Sequence, residues 1–214
     1  MVVLPARAPL RHAALLAERH ATWLSRQMAR IALERQRLEA RPALLDGRIL
    51  TVNGIEHDIL LDRTDPMRRR GSVHRRLVAD TDAIRGQLQV TAGADGDVPR
   101  LLERWLRDEA RRILVARVAA LAGAIGVAPT RISIRGQRAR WGSASRDGAL
   151  SFNWRLVLAP TWVLDSVVVH ELCHLRVHGH TSAFWSLVRT HAPRADESRR
   201  WLRAHHRELL AALD

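Results

Sequence analysis

The segment from His170 to His174 reads His-Glu-Leu-Cys-His and contains the pattern H-E-x-x-H. Four residues turn an α-helix by about 400°, so His170 and His174 lie on one helix face, where both imidazoles can reach one ion. Glu171 lies roughly 60° further round the helix than His174. From there its carboxylate can take a proton from a water that a zinc ion has acidified. The spacing therefore predicts a zinc site with Glu171 as the general base.

A catalytic zinc ion of this kind takes a third protein ligand and keeps one position open. The candidates are His178, His180 and His191. If the helix continued, His178 would lie about 12 Å along its axis from His170, which is too far for both imidazoles to bind one ion. Gly179 is a natural helix stop, and beyond it His180 can fold back towards the metal. Geometry favours His180 as the third ligand.

The pattern also arises by chance in histidine-rich chains, and surface helices carry His and Glu for ordinary reasons. Here it follows the apolar run 167–169, which predicts a helix that enters the core, and a glycine break comes soon after it. A buried His-Glu-His cluster without a metal would leave polar groups unsatisfied at a high cost. These features favour a metal site over a chance match.

The elements that position this site are predicted from hydrophobic periodicity and turn signals. In chain order they are a helix over 98–126, strands over 132–134 and 150–158, and helices over 160–177, 182–191 and 195–210. Asp97 is expected to cap the helix over 98–126, and Pro160 is expected to begin the helix over 160–177.

The first half of the chain is predicted to contain a helix over 9–40 and then a β region. Asn53-Gly54 is a typical hairpin turn, and it joins strand-like runs within 48–61. Shorter strand-like pieces follow over 73–78 and 87–91. We expect an α+β fold with a helical N-terminal arm, a small central sheet and a helical C-terminal half. The expected division is an arm and β region over 1–97 and a zincin-like metallohydrolase core over 98–214, together forming one compact unit.

The composition limits which partners and which cellular location are expected for the protein. The formal net charge is +13, and all 35 basic residues are arginines. Arginine favours phosphate and carboxylate partners, so nucleic acid is a possible partner, although coding bias alone also produces an arginine-rich surface. No apolar run is long enough for a membrane span, and Pro5 and Arg7 interrupt the start before a signal peptide can develop. A single cysteine, Cys173, is expected to be a buried apolar residue, and the cytoplasm is the expected location.

Several motifs in fixed order resemble the YgjP-like metallopeptidase family of bacterial zinc-dependent hydrolases. They are the stretch from His170 to His180, the Phe184-Trp185 pair that follows it, and two upstream stretches over 140–143 and 150–156. The resemblance runs from about residue 20 to the end of the chain. It implies zinc ligands at His170, His174 and His180, with Glu171 as general base. Around the metal the chain is also similar to SprT-like and WLM proteases, which act on proteins crosslinked to DNA.

The chain departs from the family pattern at Ala144, where the family commonly has a cysteine, so a cysteine role at this position is not expected. Arg140 is a candidate for stabilising an oxyanion or binding a substrate carboxylate or phosphate, and Asn153 is a second candidate. Packing around the helix is the alternative role of the block that contains Arg140, and it is the favoured role of the tryptophans.

The predicted function is zinc-dependent hydrolysis of peptide bonds in a protein or peptide substrate. One alternative keeps the metal but hydrolyses a nucleotide or another phosphate substrate with the help of the arginines. Another is a DNA-binding module in which zinc is structural, and this alternative predicts salt-dependent DNA binding and no effect of neutralising Glu171.

Overall fold

The computed structural model describes residues 21–23, 25–30, 47–62, 71–79, 84–92 and 97–213. The chain divides into two compact units, Met1–Ala43 and Leu44–Asp214. In the first unit, residues 21–23 and 25–30 are helical, in agreement with the helix predicted over 9–40. The rest of that predicted helix lies outside the described residues.

The second unit begins with a four-stranded sheet. Its strands are β1 (Ile49–Val52), β2 (Ile55–Asp62), β3 (Ser72–Ala79) and β4 (Ile84–Thr91), in the spatial order β1-β2-β4-β3. β1 and β2 form the predicted hairpin, and both residues of its turn have positive φ, 52° at Asn53 and 77° at Gly54. Positive φ at both turn residues is what a tight hairpin requires, which explains the Asn-Gly pair. β2 and β4 run parallel, while β3 and β4 run antiparallel.

Helix α1 (Val98–Ile125) connects this sheet to the rest of the unit. The Asp97 side chain caps its start by accepting a hydrogen bond from the Arg100 amide at 3.0 Å. Gly126 ends it in the left-handed conformation, with φ of 75°. Apolar residues at helical spacing bury one face of α1, and they include Leu102, Leu106, Ala110, Leu114 and Val118. Both predicted ends of this helix are confirmed.

A second sheet contains β5 (Arg131–Arg135), β6 (Gly142–Ala144) and β7 (Ala149–Asn153), in the order β5-β7-β6. β5 is parallel to β7 and β6 is antiparallel to it. Because side chains alternate along a strand, one face of this sheet is apolar and buries Leu150 and Phe152. The described residues therefore form two small sheets where the sequence predicted one, and β6 was not among the predicted strands.

The strand predicted over 150–158 is wrong beyond residue 153. Trp154–Leu158 form a 3-10 helix, because the Asn153 side chain caps it by accepting a hydrogen bond from the Arg155 amide at 3.1 Å. The apolar residues Trp154 and Val157 are fully buried in this turn. A short apolar run is compatible with a buried strand and with a buried helical turn, because hydrophobic periodicity cannot distinguish the two.

Three helices complete the fold: α2 (Thr161–His174), α3 (Ser182–His191) and α4 (Ala195–Leu210). α3 and α4 have the predicted bounds, while α2 ends at His174 rather than near residue 177. The predicted α+β class is confirmed. None of the described helices combines the length and the apolar character that a membrane span needs.

Candidate metal centre

Three imidazoles meet at the C-terminal end of α2. The Nε2 atoms of His170 and His174 lie 3.2 Å apart, those of His174 and His180 3.2 Å apart, and those of His170 and His180 3.3 Å apart. Ligand nitrogens at 2.0–2.1 Å from a tetrahedral zinc ion are about 3.3 Å from one another. The triangle therefore has the size that a single zinc ion requires.

The electrostatics of the triangle agree with this fit. The pKa of His170 is lowered to about 4, chiefly by burial and then by the neighbouring His174 and His180. The pKa of His174 is also lowered, chiefly by burial. Neutral imidazole is the form that binds metals. Among the described residues, these three histidines are the only group of three or more His, Cys, Asp or Glu side chains with atoms close enough to hold an ion.

The end of α2 explains how His180 reaches the other two histidines. The helix tightens after His174, where the Leu175 amide donates to the Leu172 carbonyl at 3.1 Å and the Arg176 amide donates to the Cys173 carbonyl at 3.1 Å. Tight turns of this kind are common at helix ends. The backbone then turns at Gly179, which has φ of 85°. The glycine break thus lies where the sequence predicted it, although the helix itself stops sooner.

Aromatic rings from the first turn of α3 support the imidazoles. Phe184 stacks on His174 with a centroid distance of 4.3 Å and an interplanar angle of 20°, and Trp185 stacks on His180 at 5.6 Å and 26°. Phe184 is fully buried. The Thr181 side chain begins this helix by accepting a hydrogen bond from the Phe184 amide at 3.3 Å.

Phe184 had no predicted role beyond its place in the family pattern. The helix start at Thr181, directly after the third histidine, is the signal that identifies it. This start places Phe184 in the first turn of α3, next to the histidines.

Glu171 lies beside the triangle and is 6% exposed. Burial raises the pKa of its carboxyl to about 7, and the charge of Arg140 opposes this shift. Strand β6 packs its backbone directly against the carboxylate. A Cβ atom on Gly142 would lie 2.5 Å from Oε1 of Glu171 and 2.7 Å from its Cγ. Gly142 is therefore the residue that makes room for Glu171.

The remaining candidates from the sequence have different surroundings. Arg140 is exposed and acts on Glu171 through its charge. Asn153 is 3% exposed, and its Nδ2 donates to the Gln137 carbonyl at 2.6 Å and to the Arg140 carbonyl at 3.5 Å. Since its Oδ1 caps the 3-10 helix, the Asn153 side chain anchors the loop that carries Arg140.

The two other histidines that were candidates for the third metal ligand lie outside the triangle. His178 is exposed and lines the cleft in front of it, and His191 lies at the end of α3. Cys173 is fully buried, and burial raises the pKa of its thiol to about 11. A thiol of this kind stays protonated and packs as a small apolar group, as the sequence analysis expected.

Two cavities adjoin the site. A cleft of about 390 Å³ is lined by the three histidines, Glu171 and all three residues of β6. A pocket of about 180 Å³ opens beside His170 and Glu171, and its walls are mainly apolar, with Trp141, Val167, Trp185 and Leu202 among them. The metal centre thus has a groove in front of it and an apolar pocket at its side.

Comparison with known proteins identifies the family of the chain. The chain matches the YgjP-like metallopeptidase domain over residues 1–205. It therefore belongs to the YgjP-like family and is a metallopeptidase, as the resemblance in the sequence predicted.

No curated protein matches the chain. A crystal structure of the metallopeptidase zymogen of Pyrococcus abyssi abylysin is similar to part of it. The two share 20% sequence identity, the match covers 42% of this chain and 93% of the other, and the TM-score is 0.39.

Proposed function

We propose that the protein is a zinc-dependent peptidase in which His170, His174 and His180 hold the metal and Glu171 is the general base. The observation that carries this proposal is the triangle of Nε2 atoms, 3.2–3.3 Å on each side, with a buried carboxylate next to it. Membership of a metallopeptidase family supports a metal cofactor. Ligation by three imidazoles supports zinc as that metal. All of these residues come from the proposed catalytic core over 98–214.

When bound, zinc supplies Lewis acidity, which polarises a scissile carbonyl and lowers the pKa of water. Glu171 takes the proton that the attacking water loses and passes it to the departing amine. The buried position of Glu171 suits both transfers, because burial raises the pKa of the carboxyl to about 7 and the residue then holds a proton more readily than an exposed glutamate does. Gly142 keeps the carboxylate in place by packing against it without a side chain.

Other residues of the cleft are proposed to bind the substrate. β6 is an edge strand of its sheet, and all three of its residues line the cleft. An extended peptide can add to such an edge through main-chain hydrogen bonds. The apolar pocket beside His170 offers room for one substrate side chain. Arg140 lines a neighbouring groove rather than the cleft, but its charge reaches Glu171. It is proposed to contact the substrate carbonyl or a substrate carboxylate, and Asn153 to hold the loop that positions Arg140.

The substitution Glu171→Gln tests the proposal. We expect zinc-loaded wild type to cleave unfolded casein, and the variant to lose about 10²–10⁴-fold in turnover because it has no base. Its zinc content, measured by metal analysis, is expected to equal that of the wild type. Glu197→Gln makes the same charge change on an exposed residue of α4 and is expected to leave turnover unaltered. Retained turnover in Glu171→Gln, or loss of its zinc, contradicts the assigned role.

A further inference from the structure

The outer face of the second sheet forms a basic groove of about 740 Å³, which we call the sheet groove. Four arginines line it: Arg107, Arg131, Arg135 and Arg140. No carboxylate and no aromatic ring lines it among the residues that the structure describes. Arg107 is paired with Glu103 at 2.7 Å, so the positive charge that the groove offers to a ligand comes mainly from the other three arginines.

The strand register explains the floor of the groove. Ser133 of β5 pairs with Ser151 of β7, which in turn pairs with Ser143 of β6, so three hydroxyls form a row across the sheet. The Ser133 hydroxyl donates to the Leu150 carbonyl at 3.3 Å. Within the described part of the chain, no hydrogen bond engages the hydroxyls of Ser143 and Ser151. These two half-buried hydroxyls are available to a ligand.

The arginines at the rim are available too. Arg131, Arg135 and Arg140 form no ion pair within the described ranges, although Asp147 lies near enough to Arg131 to feel its charge. Arginines elsewhere in this unit do pair, such as Arg117 with Asp165 at 2.6 Å. The three guanidinium groups lie around one groove without a direct ion pair and repel one another, and an anionic ligand relieves that repulsion.

We propose that the sheet groove binds the phosphodiester backbone of double-stranded nucleic acid, without regard to its sequence. Guanidinium and hydroxyl groups are the side-chain donors that contact phosphate oxygens. Proteins that bind single strands add aromatic rings on which bases stack, and no such ring lines the groove. A duplex covers its bases and presents its backbone, which suits this surface better.

The spacing and the overall charge support a polyanion over a single anionic group. Arg131 and Arg135 are four residues apart on one strand, a separation of about 13 Å. A duplex rises about 3.4 Å per nucleotide of each strand, so the two arginines span roughly four nucleotides. The net charge of +13 also attracts a long polyanion more strongly than it attracts a small ligand.

This binding goes beyond the proposed peptidase activity and does not depend on it. The sheet groove shares Ser143 and Ala144 with the metal cleft, but none of the three histidines lines it. We therefore expect His180→Ala, which removes a proposed metal ligand, to bind nucleic acid as the wild type does. Failure of the metal site and failure of the groove are thus separate results.

The test is the fluorescence anisotropy of a labelled 20-base-pair DNA duplex, titrated with protein at several salt concentrations. Arg131→Gln combined with Arg135→Gln is expected to weaken binding at least ten-fold and to reduce the slope of log K against log salt by about 1.8. The matched control is Arg200→Gln with Arg203→Gln, which makes the same charge change on exposed residues of α4 outside the groove. We expect the control pair to weaken binding less than three-fold.

A second variant tests the floor of the groove without changing the charge. Ser143→Ala with Ser151→Ala is expected to weaken duplex binding a few-fold and to leave the salt slope unchanged, because hydroxyl contacts release no counterions. The proposal is contradicted if the wild type does not bind the duplex. It is contradicted as well if the double substitution at Arg131 and Arg135 weakens binding by no more than the control double substitution does. It is also contradicted if polyglutamate or ATP displaces the duplex at equal charge concentration, since the groove would then be a carboxylate or mononucleotide site.

Discussion

Two glutamates of the same unit, the half-buried Glu109 and the buried Glu171, have opposite surroundings. On α1, the Glu109 carboxylate accepts hydrogen bonds from Arg75 and Arg112, both at 2.6 Å. The hydrogen bond from Arg112 is the main reason why the pKa of Glu109 is lowered. On α2, Glu171 has no guanidinium partner within 4.0 Å among the described residues, and burial raises its pKa to about 7.

The difference separates a carboxylate that stabilises the fold from one that is available for chemistry. A buried charge is costly unless it is paired, and α1 meets this requirement with two arginines. α2 leaves Glu171 unpaired next to three imidazoles whose nitrogens converge on one point. A carboxylate that an arginine already holds cannot readily exchange a proton, whereas Glu171 can.

The largest expected effect comes from neutralising each glutamate in turn. Glu171→Gln is expected to lower turnover by about 10²–10⁴-fold. The free energy of unfolding is not expected to fall, because the substitution removes a desolvated carboxylate. Glu109→Gln is expected to lower the free energy of unfolding by about 3 kcal/mol, because it leaves Arg75 without its partner, while turnover of the folded enzyme stays the same. Urea denaturation and casein cleavage measure the two quantities. If both variants lose stability and keep turnover, the comparison fails.

A smaller effect is expected from Gly142→Ala. The new methyl group would lie 2.5 Å from Oε1 of Glu171, so the carboxylate has to move away from its position beside the imidazoles. We expect kcat to fall by about 10²-fold, as misplacing a catalytic group by about 1 Å does, with zinc content unchanged. Gly123→Ala on α1 is the control, since a Cβ there meets no atom within 4 Å. Equal kcat in the two variants would show that Gly142 does not position Glu171.

The smallest effect concerns pH and sharpens the contrast at Glu109. Its pKa is lowered in the folded state from an ordinary value of 4.5, so its stabilising contribution is fully present above that value. The contribution is lost as the pH falls through the lowered pKa of the folded state, because protonation breaks the pairing with Arg75 and Arg112. We expect the free energy of unfolding to fall more steeply with acidification in wild type than in Glu109→Gln. Identical pH profiles in urea denaturation would contradict this role.

The parts of the molecule that sequence alone predicted are those with local signals. The bounds of α3 and α4 follow from helical periodicity, and the hairpin follows from Asn53-Gly54. The grouping of His170 with His174 follows from helix geometry, since four residues bring them to one face. The bend at Gly179 that brings in His180 has a local signal as well, because glycine favours positive φ.

The parts that sequence did not predict depend on contacts between distant segments. β6 is only three residues long and exists because it pairs with β7, which no local pattern shows. Residues 154–158 form a 3-10 helix because Asn153 caps it, although their apolar side chains suit a buried strand equally well. Close contacts such as that of Gly142 with Glu171 lie between residues 29 positions apart, and only the folded structure brings them together. The division of the chain at residue 97 stays a prediction.

The most direct test of the account is zinc binding by purified protein, measured by metal analysis and by competition with a chelator. We expect one zinc ion per wild-type chain and an affinity at least about 100-fold weaker in His180→Ala, a larger loss than removing an outer contact causes. His178→Ala, which changes an exposed histidine two residues away, is expected to bind zinc as the wild type does. Full zinc binding in His180→Ala, or equal losses in both variants, would contradict a metal held by His170, His174 and His180.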